Sequence, residues 1–134
     1  MAMTGGCLCG AVRYEVASAP AFAGHCYCTD CRRSSGTGHS TVVGVAEADL
    51  KLTGELKGYT STADSGAAVT RYFCPTCGSG IYSKGARPGM VVLKAGSLDD
   101  PETMKPMAAL YVARAPSWDR PAEGLMMFEA MPPG

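Results

Sequence analysis

The sequence predicts an all-β, turn-rich fold braced by metal, and three observations carry that reading. Seventeen glycines and nine prolines among 134 residues punctuate the chain and leave little room for long helices. Apolar residues alternate over short runs, as in Val12-Arg13-Tyr14-Glu15-Val16 and Leu50-Lys51-Leu52-Thr53, the period of a strand with one buried face. Seven cysteines fall into a Cys-x-Cys pair, a triple and a Cys-x-x-Cys pair, the spacing of metal ligands. At this length, residues 1–134 read as one zinc-binding domain, whose modest core a metal staple helps to hold.

Taken in order, Gly6-Cys7-Leu8-Cys9-Gly10 is a cysteine pair hemmed by glycine, which lets backbone bend around an ion. Ala11 to Val16 follows as a strand and stops at Ser18-Ala19-Pro20. Ala21 to Cys28 is a second extended segment, and Thr29 to Ser34 is a single helical turn capped by Thr29 or Asp30. After the loop Ser34 to Gly38, the β-branched run Ser40 to Val45 is a strand. Leu50 to Thr53 and Leu56 to Tyr59 read as two strands of a hairpin turning at Gly54-Glu55.

Val69 to Phe73, Cys74-Pro75-Thr76-Cys77-Gly78 and Gly80 to Ser83 make a strand, a turn and a strand: a zinc knuckle. Val91 to Ala95, bounded by Gly89 and Gly96, is a short buried strand. Ala108 to Ala113 is strand or helix; its pattern fits both. From Pro116 the tail wraps as a loop, and Met131-Pro132-Pro133-Gly134 reads as a frayed end.

Twelve basic residues balance twelve acidic ones, so the chain has no electrostatic footprint for nucleic acid or an anionic membrane. The start lacks a charged and apolar leader, and no run approaches the ~18 apolar residues of a membrane span. A cytoplasmic location is expected. In a reducing compartment close-set thiols are metal ligands or redox centres before they are disulfides.

The cysteines divide most simply into two sets, with zinc as the ion. Cys7, Cys9, Cys74 and Cys77 close a four-thiolate structural site, which couples metal affinity to folding. A thioredoxin-like role for Cys74 and Cys77 would need the pair to open a helix, which Pro75-Thr76-Cys77-Gly78-Ser79-Gly80 does poorly. Cys26, Cys28 and Cys31 offer three thiolates and a fourth position for a substrate atom. That fourth position could instead be filled by His25 or His39, giving a second closed site. His25 neighbours Cys26 in an extended segment and so points to the opposite face; the roles of both histidines stay open.

These residues resemble the glutathione-dependent formaldehyde-activating enzymes, grouped with the centromere protein V domain. The likeness rests on Gly6 to Tyr14, His25 to Gly36, Phe73 to Ser79, Gly96-Ser97-Leu98-Asp99-Asp100-Pro101 and Ala115-Pro116-Ser117-Trp118. It implies an Mss4-like fold of several coiled antiparallel sheets with short helical turns. It also implies a structural zinc on Cys7, Cys9, Cys74 and Cys77 and a catalytic zinc on Cys26, Cys28 and Cys31. The implied activity is that of a carbon–sulfur lyase joining a small thiol, glutathione or similar, to an aldehyde such as formaldehyde.

Within that reading the substrate contacts come from Arg32, Arg33, Ser34 and Ser35. The arginines offset the charge of three thiolates and bind a carboxylate, or form a solvated surface pair; the serines offer donors to the developing alkoxide. The three-thiolate zinc is the ion more easily stripped. The competing class is a binding module whose two zincs only brace a β scaffold. Oligomeric state and the identity of the thiol and carbonyl are not written in the sequence.

Overall fold

A computed structural model describes residues 2–131, so the expected fraying at 132–134 lies outside the described residues. Short runs between glycines and prolines give short strands: β1 (Met3–Gly6), β2 (Arg13–Val16), β3 (Phe22–Cys26), β4 (Ser40–Ala46), β5 (Leu50–Thr53) and β6 (Lys57–Thr62). These are followed by β7 (Ala68–Phe73), β8 (Gly80–Lys84), β9 (Met90–Lys94), β10 (Ala108–Leu110) and β11 (Met126–Met127). One α-helix, α1 (Thr29–Ser35), and four single-turn 3₁₀ segments complete the described elements.

The strands form two sheets, one of order β1-β2-β5 and one of order β11-β10-β3-β4-β9-β8-β7-β6. The all-β expectation holds, and most pairs are antiparallel. β10, however, runs parallel to both β3 and β11. That parallel edge settles Ala108 to Ala113: its first half is strand, and its second half turns at Tyr111 into the 3₁₀ segment Val112–Arg114. The tail is more than a loop, because Met126–Met127 adds the last strand.

The hairpin expected at Gly54-Glu55 is absent. Gly54 does take a positive φ of 102°, but β5 pairs with β2 in the small sheet while β6 pairs with β7 in the large one. The turn carries the chain from one sheet to the other, since Leu50 and Leu52 pack towards the core that the sheets share.

That core lies between the sheets. Met3, Tyr14 and Val16 come from the small sheet, and Val43, Val45, Ile81, Val91 and Leu93 from the large one, all buried in one cluster. Burying such side chains is worth ~1.5–3 kcal/mol each against the entropy of ordering them. Cys7 and Cys74 belong to the same cluster, which places one group of sulfurs at the end of the apolar core.

Candidate metal centres

Two similar turns build the four-cysteine cluster. In the first, the Cys7 N–H donates to the Val12 carbonyl at 3.1 Å and the Gly10 N–H to Cys7 at 3.3 Å, with Gly10 at φ 85°. In the second, between β7 and β8, the Cys74 N–H donates to Ser79 at 2.9 Å and the Gly78 N–H to Cys74 at 2.8 Å, with Gly78 at φ 79°. The left-handed conformation that glycine tolerates closes each turn beneath its sulfurs. The Leu8 N–H donates to Ser79 Oγ at 3.0 Å and locks one turn onto the other.

The four sulfurs lie within 4.8 Å of one another, with Cys7 to Cys9 at 3.6 Å and Cys9 to Cys74 at 3.8 Å. Sulfurs at tetrahedral corners ~2.3 Å from zinc stand about 3.8 Å apart, so this donor set suits that ion. Donors aimed at the sulfurs favour the thiolates that a metal needs. The Val12 N–H, 3.2 Å from the Cys7 sulfur, holds that thiol below its usual range. The Ser79 hydroxyl and N–H, with the Cys9 N–H, bring Cys77 down to about 5.

The three-cysteine cluster has a different scaffold. β3 delivers buried Cys26 as its last residue, and Cys28 and Cys31 follow at the start of α1. The helix cap is Cys28, neither Thr29 nor Asp30: its Sγ accepts the Cys31 N–H at 3.3 Å, with φ −62° and ψ 158°. The helix is also longer than one turn, running seven residues to Ser35, where Gly36 closes it through an N–H bond to Arg32. No residue of α1 is buried, so its apolar packing contributes little and the caps and sulfurs fix it.

The sulfurs of Cys26, Cys28 and Cys31 also lie within 4.8 Å of one another, and no histidine or carboxylate joins the group among the described residues. Both histidines are engaged elsewhere. His25 Nδ1 meets Thr41 Oγ1 at 2.8 Å, its partner across β3 and β4, on the face opposite that of Cys26 and Ser40. His39 Nδ1 meets Asp119 Oδ2 at 2.5 Å. The Cys28 thiol is pulled down to about 2 by hydrogen bonds from the Cys26 and Cys31 thiols. Cys26 is pushed up by the same bonds and by burial. One sulfur is thus charged and shared, and a divalent ion would displace the protons that share it.

A cleft of about 750 Å³ runs from Cys7, Leu8 and Ser79 at the four-cysteine end to Ser34, Ser35 and His39 beside α1. Ser34 and Ser35 therefore stand on its wall, with Ser34 Oγ donating to the Cys31 carbonyl and Ser35 Oγ to that of His39. Arg32 and Arg33 are exposed and line neither this cleft nor its smaller neighbour. Trp118 is 69% exposed, away from the lining.

Sequence reasoning missed Lys94, Arg71 and Asp119. Lys94 reaches between the strands and α1, its Nζ 2.8 Å from Ser40 Oγ and 3.5 Å from Ser34 Oγ. Burial pushes its ammonium below the usual range, against the pull of the Cys31 sulfur. Asp119 left one trace in the sequence: buried Gly38 cannot carry a side chain, because an added carbon would run into the Asp119 carboxylate. No helix of the described residues is long and apolar enough to cross a membrane.

Three comparisons with known proteins each give a match. The family model for glutathione-dependent formaldehyde-activating enzymes matches residues 2–114. A Halomonas elongata protein provisionally named a glutathione-dependent formaldehyde-activating enzyme is 30% identical over 131 aligned residues, covering 88% of this chain and 80% of that one. A crystal structure of a Rhodobacter sphaeroides protein superposes with a TM-score of 0.58 at 26% identity, covering 72% of this chain and 88% of that one.

Proposed function

We propose, from the premise that this chain belongs to the glutathione-dependent formaldehyde-activating enzyme family, that it adds a small thiol to an aldehyde at the three-cysteine centre. Glutathione and formaldehyde, the pair in the family's name, are the first candidates, and the carbon–sulfur lyases the reaction class. The observation that carries the reading is a group of three sulfurs with no fourth protein donor among the described residues. Cys7, Cys9, Cys74 and Cys77 serve as the structural zinc ligands, and Cys26, Cys28 and Cys31 hold the ion used in catalysis.

When bound there, zinc would supply a position for the substrate sulfur and favour its thiolate near neutral pH. The remaining work falls to the chain. Cys28 and Cys31, fixed by the start of α1, and Cys26, fixed by β3, present their sulfurs to one point from two rigid elements. The reaction forms one C–S bond: the thiolate pair attacks the carbonyl carbon, the π pair moves to oxygen, and the proton lost from sulfur ends on that oxygen. Ser34 and Ser35, on the cleft wall, provide hydroxyl donors for the developing charge. The cleft, whose lining includes Ser34 and Ser35 of α1 and none of the three cysteines, is large enough for the body of a thiol of peptide size.

The test is the rate of S-hydroxymethyl adduct formation from glutathione and formaldehyde, followed by exchange NMR with protein carrying two zinc ions. Acceleration over the spontaneous reaction that disappears in Cys31→Ser is expected. Fully metal-loaded protein that leaves the spontaneous rate unchanged for these and other thiol and aldehyde pairs would overturn the proposal.

A further inference from the structure

The large sheet carries two half-buried cations that the chemistry above does not use. Arg71 and Lys94 line one cavity of about 150 Å³ together with Ser34, Tyr72, Phe73 and Tyr82. Among the described residues neither cation reaches a carboxylate, since the ion pairs there use Arg13, His39, Lys84 and Arg114. Arg71 meets the Ser61 hydroxyl at 3.4 Å, and Lys94 meets only the hydroxyls of Ser34 and Ser40. Holding two cations partly out of water with no carboxylate partner costs free energy that a bound anion would recover.

Their position says which anion. Ser40, bonded to Lys94, lies directly across from Cys26, and Ser34 is bonded to the Cys31 carbonyl. Lys94 therefore links α1, which carries Cys31, to Ser40 of β4, the residue paired with Cys26, and it lines both the small cavity and the large cleft. Tyr72 and Tyr82 stack with their ring centres 4.8 Å apart and give the cavity an apolar wall. Cations that only balanced thiolate charge would need no such cavity; a guanidinium and an ammonium over an apolar wall suit a carboxylate on a short carbon chain.

We propose that the Arg71–Lys94 cavity seats a carboxylate of the substrate, so that the enzyme prefers a thiol or an aldehyde bearing one. The inference rests on the open three-cysteine centre proposed above. Arg32 and Arg33, two helical positions that the sequence made attractive for this task, face solvent instead.

The experiment titrates cobalt-loaded protein with 2-mercaptoethanol and 3-mercaptopropionate, read by the sulfur-to-cobalt charge-transfer band, and with glyoxylate, read by calorimetry. If the carboxylate belongs to the thiol, 3-mercaptopropionate binds about tenfold or more tightly than 2-mercaptoethanol. R71Q and K94M each remove that advantage while R71K and K94R keep it, and unchanged 2-mercaptoethanol affinity shows that the variants are folded. If the carboxylate belongs to the carbonyl partner, the two thiols bind alike and glyoxylate binding falls about tenfold in R71Q and K94M. Carboxylate affinities indifferent to both positions would overturn the proposal. Failure of 2-mercaptoethanol to bind, with carboxylates still dependent on Arg71 and Lys94, would sink the open-site reading and leave the anion seat standing.

Discussion

The two cysteine clusters use one ligand type and differ in what surrounds it. Cys7, Cys9, Cys74 and Cys77 come from two glycine-closed turns at the end of the shared core, with Cys7 and Cys74 buried inside it. Cys26, Cys28 and Cys31 come from a strand end and an unburied helix, with Lys94 bonded to Ser34 of that helix. Four donors with their own hydrogen-bond supports leave nothing for a substrate to add. Three donors, with a lysine and an arginine nearby that reach no carboxylate among the described residues, leave one place to fill. The lesson is that coordination number follows from how many chain segments converge: two complete turns in one cluster, one strand-to-helix junction in the other.

The largest expected effect tests the closed half. Cys74→Ala removes a ligand from the core, and because structural zinc contributes on the order of 10 kcal/mol or more to folding, its loss is comparable with the whole ~5–15 kcal/mol net stability of most domains. The expected outcome is loss of a cooperative thermal transition and of most soluble protein; a melt near the parent's would erase the distinction between the clusters.

Cys31→Ser should separate the two halves. Adduct formation falls to background and elemental analysis gives one zinc per chain where the parent gives two, while the melting transition stays cooperative. Cys28→Ala should do the same and also cost about 1 kcal/mol, because it deletes the α1 cap; Cys28→Ser, which keeps an oxygen acceptor, should recover most of that cost. Graded chelation should then strip the three-cysteine ion first with no change in far-ultraviolet circular dichroism, and the second ion only as the chain unfolds. Simultaneous loss of both would contradict the comparison.

The smallest effect concerns the loop that leads from α1 into β4. Gly38→Ala drives a carbon into Asp119 and strains its pairing with His39. The expected cost is about 1 kcal/mol or slightly more, seen as a lower melting midpoint with both zinc ions retained.

Most of this architecture is legible in the sequence, for reasons that also explain the misses. Cysteine spacing is local chemistry, so Cys74 to Cys77 announces a turn and Cys26 to Cys31 a cluster before any fold is known. Alternation at Val12, Tyr14 and Val16 marks a buried strand face, and all three are buried. Gly54 suggests a hairpin that does not form, because a positive φ specifies a local bend and says nothing about which sheet the next strand joins. The α1 cap was misassigned because a cysteine sulfur filled the place that a hydroxyl or carboxylate usually takes. Arg71, Lys94 and Asp119 stand outside the motifs because only sheet register and long-range closure bring the first two to one cavity and the third to His39.

The most direct test of one closed and one open centre is zinc K-edge X-ray absorption on protein carrying two ions, before and after addition of glutathione. Four sulfurs around one ion and three around the other predict an average of about 3.5 sulfurs per zinc, rising to about 4 when the thiol binds. An average already at 4, or a nitrogen neighbour that glutathione does not displace, would contradict the account.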